Sequence, residues 1–94
     1  MNLIKVKADS KTASVAGAIA GFMRSQGEVE IQAIGAGAVN QAVKALALAR
    51  KYLEEENTFI AFVPQFVSVE INEAERTAIR FDVLKVDAPT AAAE

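Results

Sequence analysis

Chemistry has few residue types to draw on in this 94-residue chain. It contains no cysteine and no histidine, which removes thiolate ligands, thiol nucleophiles, the commonest metal ligand and the commonest general base. Carboxylates are plentiful but poorly set for catalysis. Glu54-Glu55-Glu56 falls where a helix is predicted to end, a position the helix dipole makes unfavourable for negative charge, so solvation and fraying are expected there. Glu28 and Glu30 share one face of a predicted strand, and Glu73 and Glu75 lie near a predicted turn with no apolar wall to raise a pKa. Ser10, Ser14, Ser25 and Ser68 have no imidazole to activate them. No catalytic residue, metal site, cofactor or small-molecule substrate is expected, and the residues point to binding rather than to an enzyme.

Two patterns suit binding. Gly35-Ala36-Gly37 stands between a predicted strand and a predicted helix, a layout that aims unpaired backbone amides at an anion. The third glycine of a dinucleotide fingerprint and the lysine of a P-loop are both missing. The other reading of these glycines is a tight turn into a closely packed helix. The second pattern is the bases: Lys7 and Lys11 flank the first strand–helix loop, Lys44 and Lys51 line one strip of the second helix with Asn40 at its start, and Arg76 and Arg80 occupy a hairpin arm. Each alone reads as a solubilising surface charge; a site requires that they converge.

Charge limits the strength of any such site. Lys and Arg total 10 and Asp and Glu total 12, with Asp87 and Glu94 beyond Val86, so the first 86 residues are formally neutral. Strong duplex binders usually carry a basic excess, because neutralised phosphates release counterions. Nothing in the sequence resembles a signal peptide or the ~20 apolar residues of a membrane span, so a cytoplasmic, non-membrane protein is expected. Residues 87–94 (DAPTAAAE) hold nothing bulky to bury and read as a disordered tail after a single domain, 1–86.

The elements that would position these groups follow from periodicity. Leu3–Ala8 and Glu28–Ile34 alternate as half-buried strands, with Ile4, Val6 and Ala8, then Val29, Ile31 and Ala33, on the inner side. Between them, Asp9 to Thr12 offer N-caps and a helix runs to about Gln26, with Val15, Ile19, Phe22 and Met23 on its core face and Gly27 as its stop. Ala13, Gly17 and Gly21 fall four apart on a neighbouring side. Helix-interior glycines cost roughly 1 kcal/mol each, so close packing of the helix backbone, or a ligand against it, is expected. A second helix spans about Ala38 to Leu53, its core stripe being Val39, Ala42, Val43, Leu46, Ala49 and Leu53. Ala45, Leu48 and Tyr52 widen its apolar arc beyond what one sheet face covers, so these three are expected in a dimer interface.

Thr58–Val63 reads as a strand covered on both faces, interrupted by Pro64 and therefore an edge or bulged there. Val67, Val69 and Ile71, a turn near Asn72–Glu75, and a return strand Thr77–Val86 with Ile79, Phe81 and Val83 inward complete a long hairpin. The fold class is α+β: a two-layer sandwich in the order strand-helix-strand-helix-strand-strand, with two helices on one face of a four-stranded mixed sheet. The first two strands are parallel by the right-handed crossover rule.

Residues 32–45 (QAIGAGAVNQAVKA), 14–21 (SVAGAIAG) and 75–79 (ERTAI) resemble, in order and over nearly the whole folded part, the stage V sporulation protein S family. That family is similar in fold to the Alba chromatin proteins, small dimeric nucleic-acid binders. The resemblance implies a sporulation-related regulator and a homodimer that contacts nucleic acid, DNA or RNA, mainly through phosphates. Carried over by position, it puts Lys11, Gly35, Ala36, Gly37, Asn40, Lys44, Arg76 and Arg80 at the contact surface. This chain departs from Alba proteins in having no charge from Ile34 to Ala38, and in placing Glu73 and Glu75 beside Arg76. The alternative is a protein-interaction scaffold recruiting a partner through the hairpin or the strand edge near Pro64.

Overall fold

The computed structural model describes residues 2–88. Six elements follow in the expected order: β1 (Leu3–Val6), α1 (Thr12–Gln26), β2 (Glu28–Ala33), α2 (Ala36–Glu54), β3 (Phe59–Ile71) and β4 (Ala74–Val86). The sheet order is β1-β2-β4-β3, with β1 parallel to β2 and the other neighbours antiparallel. It is the mixed four-stranded sheet of an α+β fold. Of the expected tail, residues 89–94 lie outside the described residues.

The pleat explains the core. Cross-strand register lines up Ile4, Ile31 and Phe81 in one row, and Val6, Ala33 and Ile79 in the next. Successive residues of a strand face opposite ways, so these rows form one apolar face. Val15, Ala16, Ile19, Ala20 and Met23 of α1 join them in the core, with Ala38, Ala42, Ala45, Leu46, Ala49 and Leu53 of α2. Gly27 ends α1 as expected, at φ 78°, its amide donating to the Phe22 and Met23 carbonyls. Just beyond the C-terminal end of α2, Glu56 accepts hydrogen bonds from the Arg24 guanidinium (Nε–Oε1 2.9 Å). Those bonds hold the Glu56 carboxyl below the usual carboxylate range. Glu54 is paired as well, with Arg50 at 2.8 Å, so two of the three glutamates expected to be merely solvated close ion pairs.

Several expectations are corrected by packing. Ala42, Leu46, Ala49 and Leu53 of the expected α2 stripe are buried, but Ala38 and Ala45 join them inside, whereas Val43 is 43 % exposed. Small alanines let α1 and α2 approach closely, and so take the interior positions. Gly17 and Gly21 are not packed against anything among the described residues, where a Cβ at either would meet no atom within 4 Å. The apolar run opening β3 is not covered on both faces. β3 is the sheet's edge strand, as Pro64 required, and Phe62, Val63 and Phe66 stay exposed.

The hairpin is longer than the alternation implied. Both arms have 13 residues and pair without a break from Phe59↔Val86 to Ile71↔Ala74. Asn72 and Glu73 form the two-residue turn, both at positive φ (51° and 64°), the geometry whose twist matches the flanking strands. The last β2–β4 pair is Ala33↔Ile79, so Ala74–Ala78 and their partners run past the rest of the sheet by about 16 Å at ~3.3 Å per residue.

Candidate nucleic-acid interface

One end of the molecule collects most of the groups singled out for binding, and it does so through local hydrogen bonds. β1 leaves the sheet into a turn closed on itself: Ser10 N–H donates to the Lys7 carbonyl (3.0 Å), and Ser10 Oγ accepts from Lys7 N–H (2.8 Å). The side chains expected to cap α1 do not do so; Lys11 is the N-cap residue, without a side-chain cap bond, because Ser10 is spent on the turn. The turn is then fixed to α2. Gln41 Nε2 donates to the Ser10 carbonyl (2.8 Å) and to Thr12 Oγ1 (3.4 Å).

The Gly-Ala-Gly segment has a structural reason for each glycine. Gly35 is the N-cap of α2 at φ 90°, a backbone open to glycine almost alone. A Cβ on Gly37 would lie 2.9 Å from the Ala8 Cβ, so only glycine lets the first turn of α2 meet the β1–α1 turn this closely. The helix begins at Ala36 rather than near Ala38. Neither α1 nor α2 has an acidic residue in its first turn or a side-chain cap, and Gly35, Ala36 and Gly37 are exposed. Two uncapped helix starts, each with partial positive charge, are therefore bound into one surface.

The bases divide into free and engaged. Among the described residues the ion pairs are Arg24–Glu56, Arg50–Glu54 and Arg80–Asp82. Lys7, Lys11, Lys44 and Arg76 are exposed and enter none of them. Lys11 adjoins the turn, while Asn40 and Lys44 continue along the exposed side of α2, one helical turn apart. Arg76 sits on the overshooting part of the hairpin, across from Val69. Val69, Glu70 and Ile71 line one groove, of about 450 Å³, together with Lys5, Lys7 and Ile34, so this arm of the hairpin comes alongside the end of β1.

Arg80 does not join this surface. It lies within the sheet, between Gln32 and Gln65 in register, and its Nε is 3.0 Å from Asp82 Oδ1. Asp82 also accepts from Gln65. The hairpin tip opposes the bases as well, since Glu70 and Glu75 are cross-strand partners with Glu73 in the turn between them.

The residues expected in a dimer interface differ in burial. Ala45 is fully buried within the chain, whereas Leu48 and Tyr52 pack against the core and stay half-buried. A different apolar seam is open. Phe59, Ile60, Ala61, Phe62 and Val86 of the sheet edge face Val43, Leu46, Ala47 and Arg50 of α2 across a groove of about 380 Å³. Phe62 stacks edge-on against Phe81 (centroids 5.1 Å, 83°), while Phe66, farther along, is 79 % exposed. Gln41 and Phe66 are the two residues that sequence reasoning passed over. Phe66 carried a usable signal, an aromatic beyond Pro64 on a strand that proline had already assigned to an edge. Gln41 carried none, because its partners are a backbone carbonyl and a hydroxyl about thirty residues earlier.

Over residues 2–86 the chain matches the family model described as Stage V sporulation protein S, and it therefore belongs to that family of sporulation-related proteins.

Proposed function

We propose that the protein is a sporulation regulator that binds nucleic acid through phosphate contacts and works as a homodimer. The observation that carries this reading is the fastening of two uncapped helix starts beside exposed bases: Gly37 packed on Ala8 and Gln41 bonded to Ser10, with Lys11 and Lys44 in no ion pair among the described residues. Amides of the Gly35–Gly37 segment and the Lys11, Asn40, Lys44 and Arg76 side chains hold phosphates, and Arg80 contributes only if its bond to Asp82 opens. Such contacts fix position without reading bases. The neutral balance of the first 86 residues makes the affinity modest in one chain and gives pairing a purpose, because two copies double the contacts. The seam between β3 and α2 is the surface that supports pairing.

Anisotropy titration of labelled mixed-sequence DNA duplex and single-stranded RNA tests the reading. Lys44→Glu weakens binding similarly on all sequences, with loss of binding to both polymers in the wild type as the contrary result. A second reading, a protein scaffold, is favoured by the exposed Phe66 and Val63 along an unpaired strand edge. A single partner recovered from cell extract after nuclease treatment, with no affinity for either polymer, would establish it.

A further inference from the structure

We propose that Gln41 is a positioning residue for nucleic-acid binding: it tethers the β1–α1 turn to α2, so that Lys11 and the exposed start of α2 act as one surface. The inference rests on the nucleic-acid reading above and adds the part played by a neutral side chain that touches no phosphate itself.

The geometry supports it from both sides of the junction. On one side the turn has no other side-chain tie to α2 among the described residues. Its internal bonds run between Lys7 and Ser10, which shape the turn but do not anchor it. On the other side the junction with α2 is a contact of Ala8 with a glycine, where dispersion is small and no direction is imposed. Direction comes from the carboxamide. Its Nε2 reaches the Ser10 carbonyl at 2.8 Å and the Thr12 hydroxyl at 3.4 Å, spanning the residue before Lys11 and the residue after it. Lys11 is thereby held between two atoms that one amide group grips. Gln41 is only half-buried, so its removal opens the tether to water without leaving a cavity in the core. Electrostatic attraction to a polyanion depends on charges presented together; a Lys11 that swings free pays side-chain and backbone ordering each time it binds.

The test compares wild type with Gln41→Leu, close in size and unable to donate. Readouts are anisotropy of a labelled DNA duplex at several salt concentrations, amide hydrogen exchange and thermal midpoint. The expected result is a loss of affinity of about five-fold, the weight of one hydrogen bond to ordering. The slope of log affinity against log salt should also shrink by close to one phosphate contact, with faster exchange at the hydrogen-bonded Ser10 and Val15 amides and a nearly unchanged midpoint. Gln41→Glu, which keeps the shape but not the donor, should behave like Gln41→Leu or worse. If Gln41→Leu is poorly folded, Ser10→Ala loosens the same turn from its other end and should reproduce the smaller slope. Wild-type binding matched by both variants in affinity and slope overturns the role of Gln41 alone. A wild type that binds no polymer overturns the nucleic-acid reading, and this inference with it.

Discussion

Replacing Gly17 and Gly21 together by alanine should stabilise the protein. Both lie inside α1, away from its ends, and neither has a positive φ, so alanine fits the backbone unchanged. An added Cβ at either position would meet no atom within 4 Å, so no packing cost offsets the gain. The unfolded chain loses conformational freedom and the helix gains propensity, worth up to ~1 kcal/mol per site. The sites are four residues apart on an exposed side, and two new methyl groups there touch little else, so the gains should nearly add. A combined gain of about 1.5 kcal/mol corresponds to a rise of roughly 6–12 °C in melting temperature for a chain of this size. The assay is thermal unfolding followed by circular dichroism at one fixed protein concentration, because self-association would raise the midpoint independently. A double variant that melts at or below the wild-type temperature would contradict this gain. It would mean that the α1 backbone at these glycines is in contact with something outside the single chain.

Other consequences follow from the same geometry. Gly37→Ala, chemically the same change, should destabilise by about 1–2 kcal/mol, because its Cβ would sit 2.9 Å from the Ala8 Cβ and overpacking costs more than helix propensity returns; a urea titration reads the sign. Glu56→Gln should lower stability near neutral pH and match the wild type in acid. The Glu56 carboxyl is held below its usual range by Arg24, so the pair's contribution is full above the unfolded pKa and is lost as pH falls through the folded one; a denaturation midpoint gap that persists unchanged at low pH contradicts this. Phe66→Ser should weaken self-association about 30-fold or more in analytical ultracentrifugation while leaving the fold intact. Phe66 is 79 % exposed, and burying most of an aromatic ring at ~25 cal/mol per Å² is worth ~2 kcal/mol or more; an unaltered dissociation constant excludes the β3 edge from the contact.

How far the sequence could be read depended on what decides each feature. The strands were legible where one face is buried, because alternation then has a single cause: Val29, Ile31 and Ala33 are all inside. The run Thr58–Val63 misled because continuous apolar residues describe a strand between two layers and equally a strand awaiting a partner. On the second helix the stripe was legible at Ala42, Leu46, Ala49 and Leu53, but bulk was a poor guide at its margin, where Val43 is exposed and Ala38 and Ala45 are inside. Side-chain size, not apolarity, was the deciding quantity where two helices meet closely. For the same reason the wide oily arc on α2 is covered within the chain at Ala45, while the open seam runs between another side of α2 and β3.

The candidate site was legible in its parts and not in its assembly. Lys11, Gly35, Gly37 and Lys44 are local features of the chain, and the structure brings Lys11 and the start of α2 together across about twenty-five residues of sequence. Arg80 stands apart from Arg76 on the same arm, a difference that alternation does not reveal because it does not show where the neighbouring strand stops. β2 pairs as far as Ile79, so Arg80 belongs to the sheet and Arg76 to the projecting arm.

Backbone amide shifts map where the protein meets nucleic acid. An isotopically labelled sample titrated with a short DNA duplex at low salt should show its largest changes at Lys11–Ala13, Ala36–Asn40, Lys44 and around Arg76, and these should vanish as salt is raised. Changes centred instead on the opposite end, near Glu54–Asn57, or confined to the seam of β3 and α2, would contradict the proposed interface.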